Sequence, residues 1–359
     1  PFCTPDRRAV RAQIHIPAVG YYQNSHGGAR VQGAAQRWIT LRPELLKSGE
    51  LFVQPLATAI GNYGLTKPLK EGRVNLGRLN LQQIEVSPIT AAMRRMCRGL
   101  EFDICEMAFT TYLCARAIGK PFTAIPVFVT RNFHHWAIFT NARSGIKEPK
   151  DLEGRVVGVN RGYTVTTGLW ARGMLQSEYG VDLDKITWVP TDDEHVQEFV
   201  APKNVDYSRF RGRKLGELLV NGEIDAAIGE MGGVTSPDIK PLIPDAQNAA
   251  FAYFRKTGVY PINHGIVVKN SLLKEKPWIA DDLMQAFQES KTIYLKDLQG
   301  SAGVSSWDKA AATNAAVVGD PFPFGIEPNR KALEAITQFG VDQHMVPRRF
   351  TVEELFEVR

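Results

Sequence analysis

The stretch Phe122–Asn141, FTAIPVFVTRNFHHWAIFTN, decides the reading of this chain. β-Branched and aromatic residues dominate it and glycine is absent, so it predicts the longest strand-like region in the sequence. A second extended stretch, Gly258–Lys269 (GVYPINHGIVVK), follows after an intervening α/β unit. Paired side by side, the two would form a two-strand connection between two lobes. A ligand cleft would then lie beside them, because pockets favour lobe interfaces and strand ends.

Outward from these stretches, strands alternate with helices, which argues for an α/β chain with largely parallel sheets. Val53–Ile60, Leu79–Val86, Asp103–Glu106, Val156–Val159 and Ile186–Val189 read as strands. Ile89–Arg98, Thr110–Ile118, Val165–Tyr179 and Lys214–Asn221 read as helices, each with a glycine just past its end to serve as a C-terminal cap. Beyond Ile262–Val268 the pattern is mostly helical, with Trp278–Leu295 and Asn329–Phe339 the clear cases. The predicted organisation is a poorly ordered N-terminal extension (1–50), a discontinuous first lobe (51–141 plus 266–359) and an inserted second lobe (142–265).

The chain has 359 residues, with 43 Lys+Arg against 38 Asp+Glu and a net charge of +5. A chain of this size buries about three quarters of its surface, which excludes a disordered protein or a staple-dependent miniature fold. No dense Lys/Arg block stands out, so no nucleic-acid partner is expected. The best uncharged apolar run, Pro121–Thr130, has ten residues, against the ~18 that a membrane span needs. Cys3, Cys97, Cys105 and Cys114 contain no CxxC pair, so they read as reduced thiols and not as a zinc or thioredoxin motif. Arg7, Arg8 and Arg11 have no apolar segment behind them, and a cytoplasmic location is expected.

Several segments, in order, resemble 4,5-dihydroxyphthalate decarboxylases. They include Gly61-Asn62-Tyr63, Leu69–Val74 (LKEGRV), Met93–Glu106 (MRRMCRGLEFDICE), Ala124–His135 (AIPVFVTRNFHH) and Trp170–Val181 (WARGMLQSEYGV). Leu219–Ala226 (LVNGEIDA), Thr257–His264 (TGVYPINH), Pro277–Glu289 (PWIADDLMQAFQE) and Gly325–Leu333 (GIEPNRKAL) continue the match, which covers about residues 55–355. The resemblance implies a type 2 periplasmic-binding-protein-like fold: two α/β lobes, each a mostly parallel sheet with flanking helices, joined by two crossing strands. It also implies removal of one carboxylate from a hydroxylated aromatic dicarboxylate. Two segments depart from the family pattern, Gly229-Glu230-Met231-Gly232-Gly233 and Asp192-Asp193-Glu194-His195. Both fall where the cleft should be.

The candidate site residues follow from these segments. On a strand, Arg131, Phe133 and His135 would share one face, with Arg131 and His135 ~13 Å apart, enough to bracket an aromatic diacid. The family match falls on these three residues. His264 lies on the return strand before Gly265, which leaves room for close approach, and would face His135 across the hinge. Glu106 ends an apolar strand and needs a partner there. Thr164 and Thr166 open a helix where N–H groups and hydroxyls could hold a carboxylate, although caps explain them equally well. Asp192–His195 lacks metal-ligand spacing, so an acidic helix N-terminus after Thr191 is the plainer reading. His195 and Glu230, the latter past a strand's carboxyl end, are kept as substrate contacts.

On this reading Arg131 grips the retained carboxylate, His135 and His264 move protons, and Glu106 orients a histidine. The chemistry calls for no organic cofactor, while a divalent metal on the catechol oxygens stays open. The expected partner is a small aromatic dicarboxylate, and a homo-oligomer is expected. The competing expectation is a solute receptor that binds aromatic acids without turning them over.

Overall fold

The computed structural model describes residues 54–300 and 305–358. The expected N-terminal extension, 1–50, lies outside the described residues. The chain opens with β1 (Leu56–Ala59), α1 (Lys67–Lys70), β2 (Leu81–Gln83), α2 (Ile89–Gly99), β3 (Ile104–Ala108), α3 (Phe109–Ala117) and β4 (Phe122–Arg131). It crosses to β5 (Ile138–Asn141), β6 (Val156–Val159), α4 (Thr166–Tyr179), β7 (Thr187–Pro190), α5 (Leu215–Val220), β8 (Ala226–Ile228), β9 (Ile239–Pro241) and α6 (Ala246–Thr257). It then returns through β10 (Ile262–Lys269) to α7 (Asn270–Glu275), α8 (Trp278–Gly300), α9 (Ser306–Val318) and α10 (Arg330–Asp342).

The strands form two five-stranded sheets, ordered β2-β1-β3-β10-β4 and β7-β6-β8-β5-β9. The two orders are the same pattern. In each sheet the strand that has just crossed over, β10 or β5, inserts antiparallel between the third and fourth home strands. The other pairings, β1 with β2 and β3 and β6 with β7 and β8, are parallel. This is the two-lobed architecture implied by the resemblance, each sheet being mixed: four strands run one way and the strand that crossed over runs the other. It points the carboxyl ends of β1, β3, β6 and β8 toward the place where the lobes meet, the usual position of ligands in open α/β sheets.

β10 pairs with β4 along its length, so the two extended stretches do run alongside one another. The first stretch is nevertheless not one strand. β4 stops at Arg131, a 3₁₀ turn occupies His135–Ala137, and Ile138–Asn141 belongs to the second sheet. Asparagine chemistry accounts for the break. The Asn132 carboxamide oxygen accepts from Phe133 N–H (2.9 Å), and Asn132 N–H donates to Asn263 Oδ1 (3.2 Å). These bonds consume groups that a sheet ladder would have paired.

Apolar packing ties the lobes together behind the cleft. Phe109 and Tyr112 on α3, Trp170 on α4 and Phe339 on α10 belong to a single buried cluster. Trp170 donates from Nε1 to the Ile262 carbonyl (2.9 Å). Gly173 lets α10 approach, since a Cβ there would meet the Phe339 ring at 2.2 Å. A second cluster, including Ile104, Val127, Ile266 and Phe287, fills the other side of the first sheet.

Three smaller expectations are corrected. Helix α2 is capped by Leu100 in the left-handed region (φ 49°), one residue beyond the glycine that should have done it. Asp192–His195 forms no helix; its backbone is tied to the strand-end loop of β6 and to α2. Helices α6 and α9 are additional to those read from the sequence. Cys97, Cys105 and Cys114 are buried free thiols, as expected. Among the described residues no helix is long and apolar enough to cross a membrane.

Candidate active site

Glu106 lies on β3, a strand buried at every position, and its side chain has no solvent exposure. A carboxylate there must find donors, and it finds three. Gly61 N–H donates to Oε2 (2.8 Å), Tyr63 O–H donates to Oε1 (2.8 Å), and His264 Nδ1 lies 2.6 Å from Oε1. A carboxylate only accepts, so the His264 proton facing it sits on Nδ1. Nε2 is left without a protein partner among the described residues, on a ring that keeps some exposure. Burial and the neighbouring Glu106 charge push the Tyr63 hydroxyl well above its ordinary value, so it stays a donor.

The opposing wall comes from the second lobe. Arg161 follows β6 and is held in the left-handed region (φ 67°). Its N–H donates to Thr191 Oγ1 (2.9 Å), and its carbonyl accepts from Thr191 N–H (2.9 Å). A bulky residue in this conformation stores strain that the surroundings must hold in place. Its guanidinium has no hydrogen-bond or ion-pair partner among the described residues. Burial lowers its pKa, and the charges of Glu230 and Asp192 oppose that shift. An arginine in this condition keeps its donors available to an anion.

His195 lies between the two walls. Its Nδ1 is 3.3 Å from Thr111 Oγ1 on α3. Burial first, and then the positive charges of Arg94 and Arg161, pull its pKa down to about 3, so the resting imidazole is neutral. Thr166 joins the lobes a little deeper, 3.1 Å from Thr110 Oγ1 and donating to the Asn263 carbonyl (3.4 Å). From α2, Arg94 donates to Asp192 Oδ2 (3.0 Å), and Arg98 donates to the carbonyls of Glu194 (2.8 Å) and His195 (3.4 Å).

Of the residues expected in the cleft, Glu106 and His264 bond one another, Thr166 and His195 each reach α3 across the lobes, and Glu230 lies exposed within electrostatic reach of Arg161. The structure directs the others elsewhere. The Arg131 guanidinium is buried over the Tyr260 ring (4.5 Å) and donates to Asn329 Oδ1 and to the carbonyls of Tyr260 and Pro261. Its donors are spent on the hinge. Thr164 donates from both N–H and Oγ1 to the Glu194 carboxylate, which also accepts from the Tyr207 hydroxyl. Phe133 packs against Phe251, Phe254 and Tyr260. The His135 ring lies edge-on to Tyr253 (5.6 Å), and burial lowers its pKa to about 4. His134 is the hinge histidine nearer the site: it bonds Asn263 Oδ1 (3.1 Å), and His264 contributes to its lowered pKa.

A family model described as NMT1/THI5 like matches residues 101–210, the segment that carries Glu106, Arg161 and His195. A 4,5-dihydroxyphthalate decarboxylase from Comamonas testosteroni is 32% identical over 259 residues, covering 69% of this chain and 78% of that protein. The chain belongs to the 4,5-dihydroxyphthalate decarboxylase family. A second 4,5-dihydroxyphthalate decarboxylase, from Pseudomonas putida, is 29% identical over 56% of this chain and 81% of its own length. Among solved structures, protein AF1704 from Archaeoglobus fulgidus superimposes with a TM-score of 0.51 at 13% identity, covering 81% of this chain and 98% of that one. That likeness concerns the fold alone.

For a 4,5-dihydroxyphthalate decarboxylase family member, the arrangement offers an oriented imidazole, a neutral second imidazole and an unpaired guanidinium around one gap. Arg161, Tyr63 and Arg94 were not among the sequence candidates. Arg161 could have been found from its place directly past the VVGV strand, by the same strand-end rule that singled out Glu230. Among the described residues no group of three or more His, Cys, Asp or Glu side chains could hold a metal.

Proposed function

We propose that this chain is a carboxy-lyase that removes one carboxylate from a hydroxylated aromatic dicarboxylate, 4,5-dihydroxyphthalate or a close analogue, to leave protocatechuate or its counterpart. The observation that carries the reading is the Glu106–His264 pair, which shares His195 as a common neighbour with the unpaired Arg161. Loss of CO₂ from an aryl ring needs the ipso carbon to be protonated first, because the ring offers no good electron sink. A para hydroxyl supplies the electron density. His264 Nε2 takes the phenolic proton, helped by the Glu106 carboxylate, and the ring carbon bearing the carboxylate then accepts a proton. The C–C bond breaks, its electron pair restores aromaticity, and CO₂ departs. His264 returns its proton to the phenolate, so one proton is consumed per turnover.

Arg161 holds the retained carboxylate. His195 is the group nearest to hand for delivering the ring proton. It is neutral while flanked by cations, and the arriving dianion reverses that balance and favours its charged form. Substrate binding would thus load the acid. Incubation with 4,5-dihydroxyphthalate, with and without added divalent cation, tests the reading by CO₂ release and the ultraviolet spectrum. Turnover that His264→Ala abolishes is the expected result. Saturable binding with no CO₂ under either condition would reject it in favour of capture alone.

A further inference from the structure

The first crossing, through Asn132, Phe133, His135 and Trp136, lines a cavity of about 210 Å³ to which neither Glu106 nor His264 contributes. Its walls come from α6 of the second lobe and α9 of the first. Phe133, Phe251 and Ala250 make it largely apolar, Trp136 stands at it half-exposed, and His135 and Asn314 add polar groups. None of the lining residues is Asp, Glu, Lys or Arg. Asn314 is already engaged, donating to Asn132 Oδ1 and the Tyr260 hydroxyl (3.3 Å each). His135 is not. It is 2% exposed, and neither ring nitrogen has a protein partner among the described residues, with Nδ1 fully buried. A buried polar group without a partner is costly enough to call for an explanation.

We propose that this cavity is a second ligand site, taking one uncharged aromatic ring that bears a hydroxyl. The volume suits a single substituted ring, since an apolar cavity of about 150 Å³ is already enough for benzene. The aromatic walls supply edge and face contacts. The absence of lining charges selects against carboxylates, which would have to shed water without compensation. The hydroxyl supplies the partner that His135 lacks, and burial keeps that imidazole neutral at pH 7 (its pKa is lowered to about 4), so it offers no cation to an acid. The lining shares none of Glu106, His264, Arg161 and His195 and carries no acid, lysine or arginine, and its occupant would touch both lobes at once.

Phenol, uncharged at pH 7, is the probe and benzoate its charged control. Titrated into the full chain, phenol is expected to quench Trp136 fluorescence saturably, read as the difference from Trp136→Phe, while benzoate at the same concentrations does not. Ala310→Phe fills the cavity from α9 and is expected to weaken phenol at least tenfold without changing turnover in the cleft. Ala250→Leu does the same from α6, so one variant that fails to fold leaves the other to decide. Phenol affinity equal to that of the parent in both filled variants overturns the proposal, as does displacement of phenol by 4,5-dihydroxyphthalate in simple competition. Benzoate binding as tightly as phenol, or quenching that vanishes as protein concentration rises because a second copy covers the cavity, overturns it equally.

Discussion

Glu106 and His264 are diagonal partners across the antiparallel pairing of β3 and β10. Glu106 stands opposite Ile266 and His264 opposite Ala108, which brings Oε1 and Nδ1 to 2.6 Å across 158 residues of sequence. The pairing exists only because the chain returns from the second lobe into the middle of the first sheet. Replacing Glu106 by Gln keeps the size of the side chain but removes the charge that fixes the His264 tautomer. We expect kcat to fall about 10²- to 10⁴-fold, the usual worth of positioned acid–base groups, with KM within a few-fold of the parent. Steady-state kinetics of Glu106→Gln beside Tyr63→Phe is the check. A drop in kcat smaller than threefold in Glu106→Gln would remove the pair from the mechanism.

Two arginines, one in the gap and one in the hinge, separate binding from stability. Arg161→Ala removes an unpaired cation, so substrate affinity is expected to fall about 10- to 100-fold, as for loss of a charged hydrogen bond, with little change in unfolding. Arg131→Ala instead strips partners from Asn329 and from two buried carbonyls. It is expected to cost on the order of 3 kcal/mol of stability while leaving the affinity of the folded fraction unchanged. Urea unfolding and calorimetric titration on both variants measure this, and the opposite pattern would return Arg131 to the substrate.

The architecture was legible because it is written in composition and period. Phe122–Arg131 and Ile262–Lys269 are apolar and β-rich whatever lies around them, and Gly180 and Gly222 do end their helices in the left-handed region. Glu106 and His264 were also within reach, since a carboxylate in an apolar strand and a histidine on a hinge strand both demand partners. What could not be read was direction. The alternation placing Arg131 and His135 on one face assumed an unbroken strand, and two asparagine side chains, Asn132 and Asn263, end it through contacts 131 residues apart. Thr164 carries the local pattern of an anion site, yet a distant acid, Glu194, fills it. Such pairings depend on tertiary distance, which a single sequence does not encode locally.

Stability should fall on mild acidification, and the sign follows from three buried imidazoles. Burial lowers the pKa of His134 and His135 to about 4, and burial aided by nearby cations lowers that of His195 to about 3. Above about pH 6.5 both folded and unfolded chains hold these rings neutral, so the stability is fully present. As pH falls from there toward 4, the unfolded chain binds protons that the native one refuses, and stability is lost at up to about 3 kcal/mol per ring. Below about pH 3 the loss levels off. Urea midpoints at pH 7.5 and 5 should differ clearly, and His135→Phe, which removes one refusing ring, should narrow the gap. An unchanged gap would mean that His135 takes up its proton in the folded state as readily as in the unfolded one.

The loop that carries His195 is held to the opposite lobe by two guanidinium groups, and this should govern how long substrate stays. Arg94 donates to Asp192 Oδ2 and to the Asp193 carbonyl (3.3 Å), while Arg98 donates to the carbonyls of Glu194 and His195. Each contact is partly exposed, so each contributes only about 0.2–1 kcal/mol. Their common effect is to hold the lobes against one another along a single edge of the cleft. With both arginines changed to alanine, the closed arrangement loses about 1.4 kcal/mol if the contacts add, which is a tenfold faster release of bound dicarboxylate. Association should change far less, since the open form is untouched by the loss. Raising the salt should narrow the difference between the parent and the double variant, because partly exposed charges are screened within about 10 Å at 0.1 M ionic strength. Stopped-flow displacement at two salt concentrations tests both expectations. A release rate equal to that of the parent at low salt would show that the edge contributes nothing to closure.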